Sequence, residues 1–546
     1  MLKIPRGVFV EMKQYFLPTI ISIILIGTTG TVGQVDQTFE LLTNTTIIVD
    51  NEGDGDYLNI QAAINNAIEG DSIHVYSGTY QEQIEISTPN LQIIGFNTEL
   101  GSGNDSDYPI INGNAIGNVI SINADKTILK HCIFTNSGSN IFDAGIALFS
   151  DKNTIEENGI TGNRYGITIS NCSYNMINGN FIVANSMDGI FLVNTSNNLI
   201  YNNQIKENTF QGIFLYEANE NDIKQNTIFL NEKDGIHLRN YCQYNTISEN
   251  TIHSNNIDGI KIMESVVENN KITKNTIYSN GWNGIHVMDG TNNEFSENKV
   301  TLNHYNGFHF GETNNNLIIR NTIQDNKEEG IVFLFPSAQG NKIYYNNIIN
   351  DNAYDNGQNI WDNGGSGGNY WSYYTGDDQD NNGIGETSYT IPGNGNIDRY
   401  PLINQQYPPE TPTRPSGSII GFIDTVYTYS TSSTDSSYNS IQYGWDWNGD
   451  DQVDEWTSFF NPDDPCSIEH KWSEKGSYDI KVKALDNFGF QSDWSDPLTI
   501  SMPKHRQNQQ STLLEFIENY MPFVYTLIIK ICNHFNNQHH NQKDIQ

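Results

Sequence analysis

Nine times between residues 145 and 333 the chain spells Gly-Ile-x-apolar or a close variant, at Gly145, Gly166, Gly189, Gly212, Gly235, Gly259, Gly284, Gly307 and Gly330. Side chains alternate along a strand, so the isoleucine and the closing apolar residue face one way and x faces the other. The x positions carry Ala147, Thr168, Phe191, Phe214, His237, Lys261, His286, His309 and Val332. Around them stand Phe210, Trp282 and Tyr305 two residues before a glycine, and Asp188, Asp234, Asp258 and Glu329 one residue before. Glu217, Glu264, Asp289 and Glu312 follow x by three, and Arg239 shares the face. Aromatic rings stack on sugar faces and charged groups bond hydroxyls. Phe191, Phe210, Phe214, Trp282, Tyr305, Lys261 and Arg239 therefore form a candidate glycan-binding stripe. His286 and His309, one repeat apart with Asp289 and Glu312 nearby, have the ligand types for copper or zinc, although Lys261 separates them from His237. A solvated face also accounts for polar residues at x.

Two acidic loops outside the repeat alternate oxygen-bearing side chains as calcium loops do: Asp378-x-Asp380-x-Asn382-Gly383, and Asp446-x-Asn448-x-Asp450 with Asp454 beyond. Neither has the closing glutamate, and Tyr389 stands in its place in the first. Such runs are also ordinary turn chemistry. A structural Ca2+ is the one cofactor these loops suggest. The Asp-Asp pairs at 377–378, 450–451 and 463–464 lie outside the repeat, where a glycosidase or lyase centre would have no scaffold, so no catalytic residue is assigned.

Between the glycines sits a second phrase, N-x-I-x-x-N-x-I, in nine copies from Asn153 to Ile348, and consecutive glycines are mostly 23 residues apart. Three short strands per repeat, parted by Asn/Gly turns and too short for a helix, predict a right-handed parallel β-helix. Each coil rises about 4.8 Å. The asparagines at 158, 180, 203, 226, 250, 275, 298, 321 and 346 are read as turn residues, tolerant of the left-handed backbone region and able to bond the next coil. Residues 57–69 put Ile60, Ala63, Ile64, Ala67 and Ile68 on one helical face, a lid for the first coil, and a Gly/aromatic segment after residue 350 caps the last.

Lys3, Arg6 and Lys13 precede an apolar run and then a small polar stretch, so residues 1–34 read as a secretory signal or N-terminal anchor. Residues 46–402 are assigned to the β-helix, 403–416 to a proline-rich linker and 417–503, with alternating strands, to a small immunoglobulin-like β-sandwich. Residues 504–546 form a tail with an amphipathic, apolar segment, and membrane association through either terminus stays open. The formal charge of −36 argues against a nucleic-acid partner, which needs a basic face. Five scattered cysteines support neither a disulfide framework nor a zinc module.

The lid phrase DGDYLNIQAAINNAIEGDSIHVYSGTY, the NTIxxN and GIxL coils and the closing GNYWSYYTGDD…GNIDRYPL resemble the NosD-like, pectin-lyase-like β-helix proteins. YGWDWNGDDQVDEW and the strands after it resemble the PKD domain. These resemblances imply an all-β, exported, cell-surface protein and leave its activity open. The leading expectation is a non-catalytic protein that binds polysaccharide or a surface glycoprotein along an exposed sheet. A polysaccharide lyase or glycoside hydrolase and a copper-related accessory protein are the alternatives.

Overall fold

A computed structural model describes residues 44–100, 107–365 and 367–502. The leader segment before residue 44 and the tail after residue 502 lie outside the described residues. Three parallel sheets run the length of the β-helix. One has fourteen strands, from Thr46–Val49 to Gln358–Ile360; the next has thirteen, from Thr79–Gln81 to Tyr370–Trp371. The third has twelve, from Ile84–Ile86 to Ala353–Asp355, and carries the Gly-Ile phrase; it is called the Gly-Ile sheet below. Pairing is in register from coil to coil: Ile167, Ile190, Ile213, Ile236, Ile260, Ile285, Phe308 and Ile331 are successive partners. All of them are fully buried, in one core that runs the length of the solenoid. A single coil has no second layer against which to bury this file, so stability comes from neighbours.

The turns obey a rule that the repeat does not announce. Three files of asparagine, not one, run along the solenoid, and within each the backbone N–H of one asparagine donates to the side-chain oxygen of its counterpart in the next coil. They run from Asn153 to Asn359, from Asn158 to Asn369, and from Asn163 to Asn326, where Asp351 closes the file. Asn226 shows the full pattern. Its Nδ2 donates to Ile200 O at 2.9 Å, Lys224 O at 3.0 Å and Asn250 Oδ1 at 3.0 Å, while its Oδ1 accepts from Asn203. The left-handed conformation expected of these asparagines falls instead on the residue before each. Glu157, Gln225, Arg320 and Tyr345 precede the middle file and Glu207, Leu230 and Leu302 the last, all with φ between 53° and 59°. Such residues lack glycine's freedom there. The amide file holds the chain in the turn regardless, because releasing it would leave several buried donors and acceptors without partners.

Among the described residues one short helix, Ile60–Asn66, lies over the first coil, with Ile60, Ala63 and Ile64 buried. It is shorter than the 57–69 pattern suggests. Ala67 leaves the helix in an extended conformation, and Ile68, whose N–H is taken by the Asp71 carboxylate at 2.9 Å, turns outward. At its start, the Glu82 carboxylate accepts from Ile60 N and Gln61 N, the free donors of a helix N-terminus. At the other end Asn359 and Asn369 extend two asparagine files into the cap, where buried Trp361 and Trp371 donate to Asp355 and Asp398.

The C-terminal sandwich pairs Tyr427–Thr431 with Cys466–His470 in one sheet and sets Glu455–Trp456, Ile441–Asp446, Gly476–Asp486 and Leu498–Met502 side by side in the other. Trp445 and Trp447 stack inside it and are buried, as core residues. The sandwich meets the coils through Phe488, whose ring stands edge-on to Tyr345 and whose carbonyl accepts from Arg320 Nη1 at 3.4 Å. The proline-rich segment is tied down at both sides: Gln406 exchanges hydrogen bonds with Asn347, and Thr413 N donates to Ser432 O.

Separating the two roles predicts opposite outcomes. Asn226→Ala should lower stability by about 2–4 kcal/mol, since it strips partners from several buried groups. Leu230→Gly, at an exposed left-handed position, should raise stability by about 1 kcal/mol. Urea denaturation of the two variants checks both signs.

Candidate functional site

The outward face of the Gly-Ile sheet is where chemistry-bearing side chains gather. Its middle column, in strand register, is Thr168, Phe191, Phe214, His237, Lys261, His286, His309 and Val332. The column is not the open, solvated face expected. Phe191 is buried, sandwiched between Tyr165 at 5.5 Å and Phe214 at 5.2 Å between ring centroids, so it packs the sheet and has no free face for a sugar. His237 and His286 are buried as well, while Phe214, Lys261 and His309 are half-buried. Beside this floor stand the turn residues Phe210, Lys233, Ile257, Trp282 and Tyr305, the last four linked in order by backbone bonds such as Tyr305 N to Trp282 O. Trp282 and Tyr305 stand out of the surface, 57% and 47% exposed, whereas Phe210 is half-buried. Arg239, expected on the binding stripe, is held by Glu264 through two bonds of 2.7 and 2.5 Å.

The residue before each glycine is the second correction. Asp188, Asp234 and Asp258 are not surface carboxylates but buried ones. The glycine between them and the column lets the chain pinch inward: a Cβ on Gly259 would lie 2.5 Å from Ile277 Cγ2 and 2.6 Å from Gly284 O. Asp234 approaches His237 Nδ1 at 3.2 Å. Asp258 serves three neighbours. His286 Nδ1 stands 2.8 Å from its Oδ2, Lys261 Nζ 3.6 Å from the same oxygen, and Asn283 donates through N and Nδ2 to Oδ1. Burial opposes ionisation of Asp258, but the hydrogen bond and charge of His286, then Lys261, outweigh it and hold the carboxyl below its ordinary range. Asp188 has no such cation, and burial pushes it up to about 7. The signal for this pairing was present as Asp234-Gly-Ile-His237 and Asp258-Gly-Ile-Lys261, a three-residue spacing that unites the groups once the glycine pinches the strand.

His286 and His309 stack face to face, centroids 4.8 Å apart and planes 9° apart. Burial, then the charge of His286, push His309 down to about 4, so it is neutral near neutral pH. The Nε2 atoms of His237, His286 and His309 are all buried without a hydrogen-bond partner. This orphaned row is unusual, since buried polar atoms are nearly always paired.

The expected metal and calcium residues are arranged otherwise. Nearly parallel imidazoles send their in-plane lone pairs side by side and not toward one ion, and Asp289 and Glu312 are exposed. Among the described residues no three His, Cys, Asp or Glu side chains form a metal cluster. In the first acidic loop Asp378 accepts from Asn382 N and Gly383 N, and Asp380 from Asn382. In the second, Asp446 accepts from Asn448, Gly449 and Asp451 N–H groups, Asn448 and Asp450 accept within the turn, and Asp454 accepts from Trp447 N. These oxygens brace their own turns.

A three-sheeted parallel β-helix with a polar column on one sheet defines the class. Within it, the family model described as "Periplasmic copper-binding protein (NosD)" matches residues 64–256, 182–299 and 211–376, together more than half of the chain. The chain belongs to the NosD family. The residues described above do not fit the copper in that description, because the histidine pair is stacked and no third ligand joins it. Among solved structures, the chain is similar to the A-module of a mannuronan C-5 epimerase from Azotobacter vinelandii, at 13% identity over 55% of this chain and 92% of that one, with a TM-score of 0.43. It is also similar to a DFA-IIIase from Arthrobacter chlorophenolicus, at 13% identity over 52% and 87%, with a TM-score of 0.37. The PKD domain of a peptidase from a Thermoplasmatales archaeon is 32% identical over 18% of this chain and 99% of that one, with a TM-score of 0.17. No match is found among curated proteins.

His309 gives a direct check on the column. Its imidazole should stay neutral until about pH 4 in an NMR titration. Because its folded pKa lies below the unfolded 6.5, the stability tied to it is complete above pH 6.5 and is lost as pH falls toward 4. His309→Phe should flatten the stability–pH curve across that window, measured by denaturation at a series of pH values.

Proposed function

We propose that the protein works outside the cytoplasm and binds a linear polysaccharide lengthwise along the Gly-Ile sheet. The observation that carries this reading is the column from Phe214 through His237, Lys261 and His286 to His309, in unbroken register beside the exposed rings of Trp282 and Tyr305. From Phe214 to His309 is four coil steps, about 19 Å, which suits several units of an extended sugar chain. Solenoid faces of this kind are common working surfaces. Trp282 and Tyr305 come from adjacent coils, and the faces of such rings suit the apolar side of a pyranose. The periplasmic description of the family and the basic-then-apolar order of residues 1–34 support the location. The sandwich, fixed to the coils through Phe488 and Arg320, acts as a spacer.

Trp282→Ala and Tyr305→Ala should each weaken polysaccharide binding by about tenfold, the effect of losing roughly 1–1.5 kcal/mol of ring contact. Phe191→Leu, at a ring sealed within the sheet, should leave affinity within about twofold. Affinity electrophoresis across a polysaccharide panel reads all three; a panel that retards none of them, nor the unaltered protein, sinks the proposal.

A further inference from the structure

The sandwich has an apolar corner. Residues 419–422 lie along the outer edge of the strand Leu498–Met502, where Ser501 N donates to Ile419 O at 2.9 Å and Gly421 N donates to Ser501 O at 3.0 Å. The segment is pressed close to its neighbours: a Cβ on Gly421 would lie 2.7 Å from Tyr427 Cε2 and 2.9 Å from Met502 Cε. Yet Ile419, Ile420, Phe422 and, just before Tyr427, Val426 are between 45% and 65% exposed. Four large apolar side chains at one corner form the kind of patch that marks a docking surface. A candidate occupant leaves from the same strand. One residue beyond Ser501 the described structure ends, and after ten largely polar residues, 503–512, the sequence reads LLEFIENYMPFVYTLIIKIC from Leu513 to Cys532. Leu513, Phe516, Ile517 and Tyr520 recur at the spacing of one helical face, and Glu515, Glu518 and Asn519 take the other.

We propose that residues 513–532 fold back on their own chain and dock, through Leu513, Phe516, Ile517 and Tyr520, on the corner formed by Ile419, Ile420, Phe422 and Val426. Three arguments select this occupant. Ten residues reach at most about 36 Å, and the patch adjoins the strand from which the chain departs, so the connection is long enough without strain. A tether of that length holds the segment near its site at an effective concentration of about a millimolar, which favours it over a second copy of the chain. A lipid surface suits it less, because Glu515, Glu518, Pro522 and Lys530 interrupt the apolar run and anionic headgroups repel a chain of formal charge −36. Docked there, the tail covers the corner beside an outer strand, where an open edge invites pairing with another chain. It is then a brace for the sandwich, and its apolar face is withheld from other surfaces.

Hydrogen–deuterium exchange of the full chain, read by mass spectrometry, tests this. In the unaltered protein the amides of 513–532 should exchange about 100-fold more slowly than in an unstructured chain, at a rate independent of protein concentration. Ile420→Asp should speed that exchange about tenfold, the effect of losing one buried side chain. Phe516→Asp should free the tail by a similar factor and also speed exchange in 417–426, since docking protects both partners. Ile141→Asp, at a similarly exposed position on the coils, should change neither segment, and circular dichroism confirms that each variant is folded. Unprotected exchange of 513–532 in the unaltered protein, or protection that survives Ile420→Asp, overturns the docking. Protection that rises with concentration, together with a dimer in light scattering, assigns the corner to a second copy and overturns the fold-back. Protection gained only on adding vesicles of equal parts phosphatidylcholine and phosphatidylglycerol assigns the tail to a lipid surface and overturns it as well.

Discussion

The asparagine amide files are the interaction on which the rest of the molecule depends. A coil of 21–25 residues must turn three times, and each turn exposes backbone donors and acceptors that a parallel ladder cannot reach. One side-chain amide, shorter than glutamine's and able to donate and accept at once, satisfies the turn in its own coil and the backbone of the next. Asn203, Asn226 and Asn250 show how the bond passes from coil to coil. The same files compel ordinary residues such as Leu230 and Arg320 into the left-handed region, so that local strain is distributed along the solenoid and held by a repeated bond. They also fix register, because a shift of one residue would bring amides opposite apolar side chains and turn the isoleucine files outward.

With register fixed, the outward column of the Gly-Ile sheet becomes a place where residues from different coils meet at strand spacing. That is how Lys261, His286 and His309 come side by side although more than twenty residues separate each from the next. The glycine before each strand adds the second dimension. It lets the backbone close on the neighbouring coil, which leaves the preceding residue buried and brings Asp258 within reach of His286 and Lys261. Burial then acts on like groups in opposite directions. Asp258, with a histidine and a lysine, is held ionised, whereas Asp188 has neither and is raised to about 7.

The repeat was legible because its causes are local. Gly-Ile-x-apolar and N-x-I-x-x-N-x-I state the inward files, the turn positions and the parallel class directly. The column of x residues was legible too, as a list of positions sharing one side of one sheet. Its environment was not. Exposure depends on what neighbouring coils place above and beside a residue, and so Phe191, read as a sugar platform, proved to be filling between Tyr165 and Phe214. Arg239 was legible as a cation on the right face, but not its engagement by Glu264 from the next coil. The acidic loops read equally as calcium sites or turns because both need oxygen atoms at alternate positions, and the hydrogen bonds around Asp378 and Asp446 show those atoms bracing their own loops.

By itself, then, the sequence determined the all-β class, the period, the membership of the inward files and which side chains share the outward face, since these follow from alternation and turn chemistry within one coil. The tertiary structure decided which of those side chains are covered, which asparagines carry the turns and which residues before them take the left-handed backbone. It also decided that Asp258 is buried and bonded to His286 rather than free at the surface. The reason is physical: burial and hydrogen-bond partners are set between coils, by the approach that a glycine permits and an amide file enforces, and no single repeat contains that information.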